Sequence, residues 1–346
     1  MTRIHIACSG IFVAAMRACS ATVEQAGVPP DLTGTTAQPG MSMQGMSMQG
    51  MSMQGMSMQG MSMQGMRLDG AVLSDKQWQL QVSKGELIAT HSGKTLRGTA
   101  LAGMHLFADV QNLQATPVTA AVAEYRITAI EPEDPEYDQT GTVNTFLYTL
   151  EQYISDDGSW APACPADGDG RHVAIPLAAI WNASGDRVES TTQFTLGCTT
   201  GVIAKCYRWG YRPWITGYGN LVPMHQTCTR MARADYCGDG TPHTHDGTWI
   251  NMWDSLPPPG PIQRHGGLLG LLPPVGMLFE AGWNTGGAVC LSHARWLLDD
   301  AALLAAACPD RLVPPSLLGG TVCDTVAAVL GFDPNAKMFN EAYLNL

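Results

Sequence analysis

Residues Cys228–Asp254 read CTRMARADYCGDGTPHTHDGTWINMWD, and nowhere else are cysteine, aspartate, histidine and tryptophan so concentrated. Gly238-Asp239-Gly240 and Asp246-Gly247 break the run, because Asp-Gly pairs favour tight turns over continued helix or strand. A polar stretch broken by turns and fixed by Cys228 and Cys237 is expected at the hub of a turn-rich domain.

The wider composition agrees. Gly 38 and Pro 22 in 346 residues point to many short strands joined by turns. Charged residues are only 14% and apolar ones 45%, enough for a large core. With a net charge of −11 and no Lys/Arg-rich run, the chain lacks the basic footprint of a nucleic-acid binder. Eight of the ten cysteines (Cys164, Cys198, Cys206, Cys228, Cys237, Cys290, Cys308 and Cys323) lie from residue 164 onward, and none is spaced C-x-x-C. That argues against zinc ribbons and thioredoxin-like chemistry and for four disulfides in an oxidising compartment. Eight cysteines allow about 105 connectivities, so the pairing stays open.

Outward from the hub towards the N-terminus, Arg3 and the apolar run Ile4–Met16 read as an export leader too short to span a bilayer. Ala18-Cys19 resembles a lipoprotein box that would lipidate Cys19, although Arg17 departs from that pattern; an ordinary signal peptide is the alternative. Residues 1–19 are therefore expected as leader and 20–40 as a flexible spacer. MSMQG then repeats five times from Met41 to Gly65, with decayed copies at Met66–Gly70 and Ala71–Asp75. Three readings compete for residues 41–75: a pentapeptide-type coil or stalk, a low-complexity linker, and a thioether-rich Cu(I) site.

Residues 76–346 are expected to form one domain. Alternating β-branched and aromatic runs predict strands at Trp78–Val82, Glu86–His91, His105–Gln111, Val118–Ile130, Phe146–Ile154, Val173–Trp181, Gln193–Leu196 and Phe279–Trp283. Helical spacing predicts a helix over Arg295–Cys308 and two short ones, Thr321–Leu330 and Ala336–Tyr343. Asp167-Gly168-Asp169-Gly170 looks like half a calcium loop, but Ala178 stands where the bidentate Glu belongs, so it is read as a tight turn. Trp209, Tyr211 and Trp214, interleaved with arginines, suit either carbohydrate stacking or a core beside disulfides, and the core reading is preferred.

For chemistry, His243 and His245 would share one strand face, with Asp239 and Asp246 near enough to join them in a divalent-metal or hydrolytic site; His225 is a further possible ligand. Asp235 completes this polar group. The competing reading is two Asp-Gly turns. A cysteine enzyme would need Cys290 free, with His293, His243 or His225 as base. No G-x-S-x-G, H-E-x-x-H, P-loop or dinucleotide fingerprint is present in the sequence.

Ala234-Asp235-Tyr236-Cys237 with Gly238-Asp239-Gly240 and His243-Thr244, preceded by Ala204-Lys205-Cys206 and Gly210–Trp214, resembles the bacterial ADYC-domain proteins. The resemblance runs from about Gly103 to the C-terminus and includes Gly158-Ser159-Trp160, Ala174–Leu177 and Gly287–Cys290. The family is found largely among exported proteins of myxobacteria, whose leaders and Gly-ended pentads are similar to those here. It implies compartment and domain limits and carries no catalytic residues.

The expected protein is mainly β, a β-rich α+β fold: one large disulfide-stabilised domain with a short helical C-terminal tail, behind a pentapeptide-type repeat stalk. It is expected to be an exported cell-envelope module that binds an envelope or extracellular ligand or serves a structural role, with no nucleic acid and no cofactor. Membrane contact would come only through lipid on Cys19. The alternatives are a secreted hydrolase or metal-dependent enzyme around His243, His245, Asp239 and Asp246, and copper binding by the methionine array.

Overall fold

The computed structural model describes residues 65–73, 78–112, 119–133, 145–244, 248, 250–256, 276–296, 304, 308 and 323–343. The first half is built from strands β1 (Gly65–Leu73), β2 (Gln79–Ser83), β3 (Glu86–His91), β4 (Lys94–Arg97), β5 (His105–Asn112), β6 (Thr119–Pro132), β7 (Phe146–Ile154), β8 (Ser159–Pro162), β9 (Val173–Leu177) and β12 (Gln193–Cys198), which form one sheet. The small ladder β10 (Ile180–Trp181) with β11 (Arg187–Val188) stands apart from it. In the main sheet the neighbours run β12-β9-β7-β6-β5-β1, and β1 pairs back onto β12, so six antiparallel strands close into a barrel. Closure removes the open edges that an alternating strand otherwise exposes. Its interior is filled by Leu68, Leu106, Tyr125, Ile127, Tyr148, Leu150, Phe194 and Leu196.

β2, β3 and β4 extend from β1 as a meander whose Leu80, Leu87 and Ala89 join the same core. Lys84-Gly85 and Ser92-Gly93 all have positive φ, the two-residue turn that matches strand twist. The Leu87 N–H donates to the Tyr148 hydroxyl at 2.9 Å, tying the meander to the barrel.

The expected strands stand within a few residues of their observed limits, and Val173–Trp181 is divided into β9 and β10. Three expectations are corrected. The decayed pentad Met66–Gly70 and the first three residues of Ala71–Asp75 are not the end of a stalk: they lie in β1, the strand that closes the barrel, so the folded domain begins before residue 76. A register shift between Asp69 and Val72 lets Leu68, Ala71 and Leu73 all be buried. Ala336–Tyr343 is not a helix but contains β16 (Met338–Tyr343). Thr321–Leu330 begins its helix late, at α3 (Val326–Phe332), where Thr325 caps the Ala328 N–H. Most of Arg295–Cys308 and the intact MSMQG copies before Gly65 lie outside the described residues.

The second half has its own core. Helix α2 (Val222–Arg233) packs against a sheet ordered β13-β16-β14-β15, with β13 at Ile250–Asp254, β14 at Met277–Asn284 and β15 at Gly287–Leu291, and α1 (Val202–Arg208) packs on α2 and β12. α3 covers the opposite face, where Val329 meets Trp253 and Phe339. Arg208 at the end of α1 makes a two-pronged ion pair with Glu133 at the end of β6 (2.9 and 3.2 Å), both buried, which fastens this half to the barrel.

All eight cysteines are bonded, as Cys164–Cys198, Cys206–Cys228, Cys237–Cys308 and Cys290–Cys323. Cys206–Cys228 clamps α1 to α2. Loop-closure entropy predicts that Cys237→Ala/Cys308→Ala costs about 4 kcal/mol and Cys206→Ala/Cys228→Ala about 3 kcal/mol, for loops of 71 and 22 residues. Urea unfolding of each double variant measures this; midpoints unchanged from the parent would contradict it.

Candidate functional site

The focal stretch begins inside α2. Pro223 suits the first turn of that helix, whose interior is buried although it carries His225, Gln226, Thr227, Arg230 and Arg233. The ADYC tetrapeptide then ends it, one letter at a time. Ala234 takes the left-handed conformation (φ 52°, ψ 39°), and its N–H reaches the Arg230 and Met231 carbonyls, the usual way to close a helix. The Asp235 carboxylate, fully buried, pairs with the Arg230 guanidinium and accepts the Gly240 N–H at 3.1 Å. Arg230 also donates to the Ser184 carbonyl and the Asp186 carboxylate, so one side chain joins α2, the tetrapeptide and the β10–β11 turn. Cys237 bonds Cys308.

Tyr236 is the hub. Its ring stacks on Trp283 at 5.3 Å; its hydroxyl donates to Glu280 Oε1 at 3.0 Å and accepts the Arg295 N–H at 2.8 Å. Arg295 and Glu280 form a fully buried ion pair: Nη2 donates to Oε1 and Nε to Oε2, each at 3.0 Å. The remaining groups are also met. Asn340 Nδ2 donates to Glu280 Oε2 at 2.8 Å, and Arg295 donates to the Met231 and Ala232 carbonyls and to Thr244. Burial, and then the charge of Glu280, hold the Tyr236 phenol far above its usual range, so it stays a neutral donor. Gly287, at φ +117°, lies so close that an added Cβ would meet the Tyr236 carbonyl oxygen at 2.5 Å. Ala288 N–H bonds that same oxygen at 2.9 Å.

The residues expected to form a polar site are placed as follows. Asp239 is exposed and accepts the Thr241 N–H at 2.8 Å, an Asp-Gly turn. Asp235 serves the buried ion pair. The His243 N–H donates to the Arg233 carbonyl and its ring lies 5.5 Å from Tyr236. His245 and Asp246 lie outside the described residues, and among the described residues no group of three or more His, Cys, Asp or Glu could hold a metal. Cys290 is bonded to Cys323, which removes the proposed thiol nucleophile. Trp209 and Tyr211 are buried, and the Tyr211 hydroxyl donates to Asp254 at 3.0 Å, so this aromatic cluster is core.

His225 is no ligand to its neighbours in the loop. It is fully buried, donates from Nε2 to the Ile203 carbonyl at 3.0 Å, and meets the edges of Tyr207 and Trp181. Burial pushes the imidazole down to about 3, and the positive charge of Arg187 acts the same way against the Ile203 hydrogen bond.

One exposed group carries more chemistry than the sequence suggested. On the outer face of the barrel, His105 stands opposite Arg126, Arg126 opposite Glu151, and Tyr153 opposite Trp160. The Arg126 guanidinium lies 4.5 Å over the Trp160 ring, which Tyr153 flanks at 5.3 Å and His105 at 5.2 Å. Gly158, at φ +70°, turns β7 into β8 and so brings Trp160 back beside Tyr153. The one signal for this group was Gly158-Ser159-Trp160, which as a lone hairpin tryptophan carries no chemistry of its own.

Glu280→Ala, which leaves Arg295 buried without its partner, is expected to lose about 3–5 kcal/mol, and Tyr236→Phe about 1–2 kcal/mol. Equal and small losses in denaturant titrations would contradict the hub. The unfolded state binds a proton at His225 below pH 6.5 while the native state refuses it down to about 3, so stability falls as pH drops across that window. The expected slope from this residue is about 1.4 kcal/mol per pH unit. His225→Gln should flatten the profile between pH 6 and 4 relative to the parent; parallel profiles would count against it.

Neither the curated proteins nor the solved structures offer a match to this chain. The ADYC domain family model matches residues 98–297, from the end of β4 through Arg295. That span holds the tetrapeptide, Glu280, Arg295 and the Trp160 face. The chain belongs to the ADYC domain family.

Proposed function

We propose that this ADYC-domain protein is an exported binding module of the cell envelope, and that it works through the outer face of its barrel. The observation that carries the reading is the Trp160 cluster: aromatic rings and paired charges held at the surface on neighbouring strands of a closed sheet. A rigid platform of this kind loses little conformational freedom when a ligand arrives. Export is supported by four disulfides, which persist in oxidising compartments, together with the leader-like residues 1–19. Among the described residues no helix is long and apolar enough to cross a membrane. In this reading the spacer and the MSMQG array hold the domain away from its anchor point, whether or not Cys19 carries lipid. The polar residues of the ADYC region are bonded to one another in the interior, which suits a scaffold role for that stretch.

Co-sedimentation of the full chain with purified envelopes of its source cells tests this. The parent should pellet with the envelopes, and Trp160→Ala should weaken that binding about tenfold or more, as loss of a central aromatic contact does. No sedimentation of either protein, or equal sedimentation of both, would overturn the reading.

A further inference from the structure

We infer that the ligand of the Trp160 face is an uncharged polysaccharide, an inference that rests on the binding-module reading above. Three features of the face lead there: its rings, its charge balance and the mixing of charged groups with the rings.

The rings come first. Trp160, Tyr153 and His105 form a continuous aromatic strip, with Tyr153 38% exposed and the His105 side chain 38% exposed. Aromatic faces carry partial negative charge and pack well against groups that present positively polarised C–H bonds. A pyranose ring presents such C–H bonds on its faces and hydroxyls around its rim.

The second feature is charge. His105 Nδ1 lies 2.7 Å from Glu124 Oε1, and Arg126 Nε pairs with Glu151. Each basic group on the face thus has its own carboxylate, so the face has no excess positive charge to attract a polyanion. The chain as a whole carries −11, which repels one. A carboxylate accepts at two oxygens and a guanidinium donates through five N–H groups, so these pairs keep hydrogen-bonding capacity for vicinal hydroxyls.

The third feature separates a glycan from a protein partner. Protein interfaces have cores depleted of charge, with contiguous apolar side chains. Here charged groups stand directly among the rings, with Arg126 over Trp160 and ion-paired to Glu151. Such alternation of ring and hydrogen-bonding group matches the alternation of C–H face and hydroxyl rim along a sugar chain. The platform is also preformed: Tyr125, Ile127 and Leu150 fill the barrel behind it.

The experiment uses the full chain and polymers of known charge. Cellulose, chitin and curdlan are the uncharged solids, and alginate is the anionic control. Retention on at least one uncharged polymer, undiminished by 0.5 M salt and cut about tenfold or more by Tyr153→Ala, is the expected result, since neutral contacts are not screened. Tyr153→Ala is the informative variant because its exposed ring can be removed with little effect on folding, and circular dichroism confirms the fold of each protein. No retention on any uncharged polymer, retention confined to alginate and lost in salt, or retention by Tyr153→Ala equal to the parent would overturn the inference. If the parent still sediments with envelopes through Trp160 while failing on every uncharged polymer, only the ligand class falls. If envelope binding fails as well, the binding-module reading falls with it.

Discussion

The ion pair between Glu280 and Arg295 is the constraint on which the second half of the molecule depends. Two charges removed from water are tolerated only when each of their polar groups is met, because an unpaired one costs several kcal/mol. Glu280 sits on β14, Arg295 follows β15, Tyr236 follows α2 and Asn340 lies on β16. The pair therefore has one arrangement of helix and sheet in which it is satisfied. Slippage of β14 by one residue would turn Glu280 away from the cation. The ADYC letters can be understood from this point: a helix ending, a buried anion, a hydrogen-bonding hub and a cross-link, placed in four consecutive residues.

The barrel answers to a different rule. Its strands are short runs rich in β-branched and aromatic residues and closed by Gly, Ser, Lys and Asp turns, so β3 and β7 were legible to the residue. β16 was not, because it lies between β13 and β14 with Met338 in one core and Phe339 in the other. A strand covered on both faces has no alternation to show, and Asn340 and Glu341 in its middle leave no continuous apolar run either. α2 was missed for the opposite reason. Its buried positions include His225, Thr227, Arg230 and Arg233, whose polar groups find partners only in the folded protein, so no apolar stripe marks the helix.

The site was legible only in part. Density of polar residues drew attention to 228–254, and the structure assigns the described members of that density to turns and interior pairs. The Trp160 group escaped notice because its members come from β5, β6, β7 and β8 and meet only through strand register. Pairing of the eight cysteines was beyond reach for the same reason: proximity in the fold is not proximity in the chain.

β1 has a mechanical meaning as well as a topological one. Among the described residues it is the first strand of the barrel, directly continuous with the five pentads, yet it is hydrogen-bonded to β12 and β5 on its two sides. Any tension carried along the methionine-rich segment enters the folded domain at Gly65, opposite Gly197. Peeling β1 away would breach its ladders with β12, β5 and β2 and open the barrel interior together. A tether joined to a marginal edge strand would fray first at that joint, whereas here the joint is the barrel's own seam, and load is shared across the structure that holds the exposed aromatic face in register.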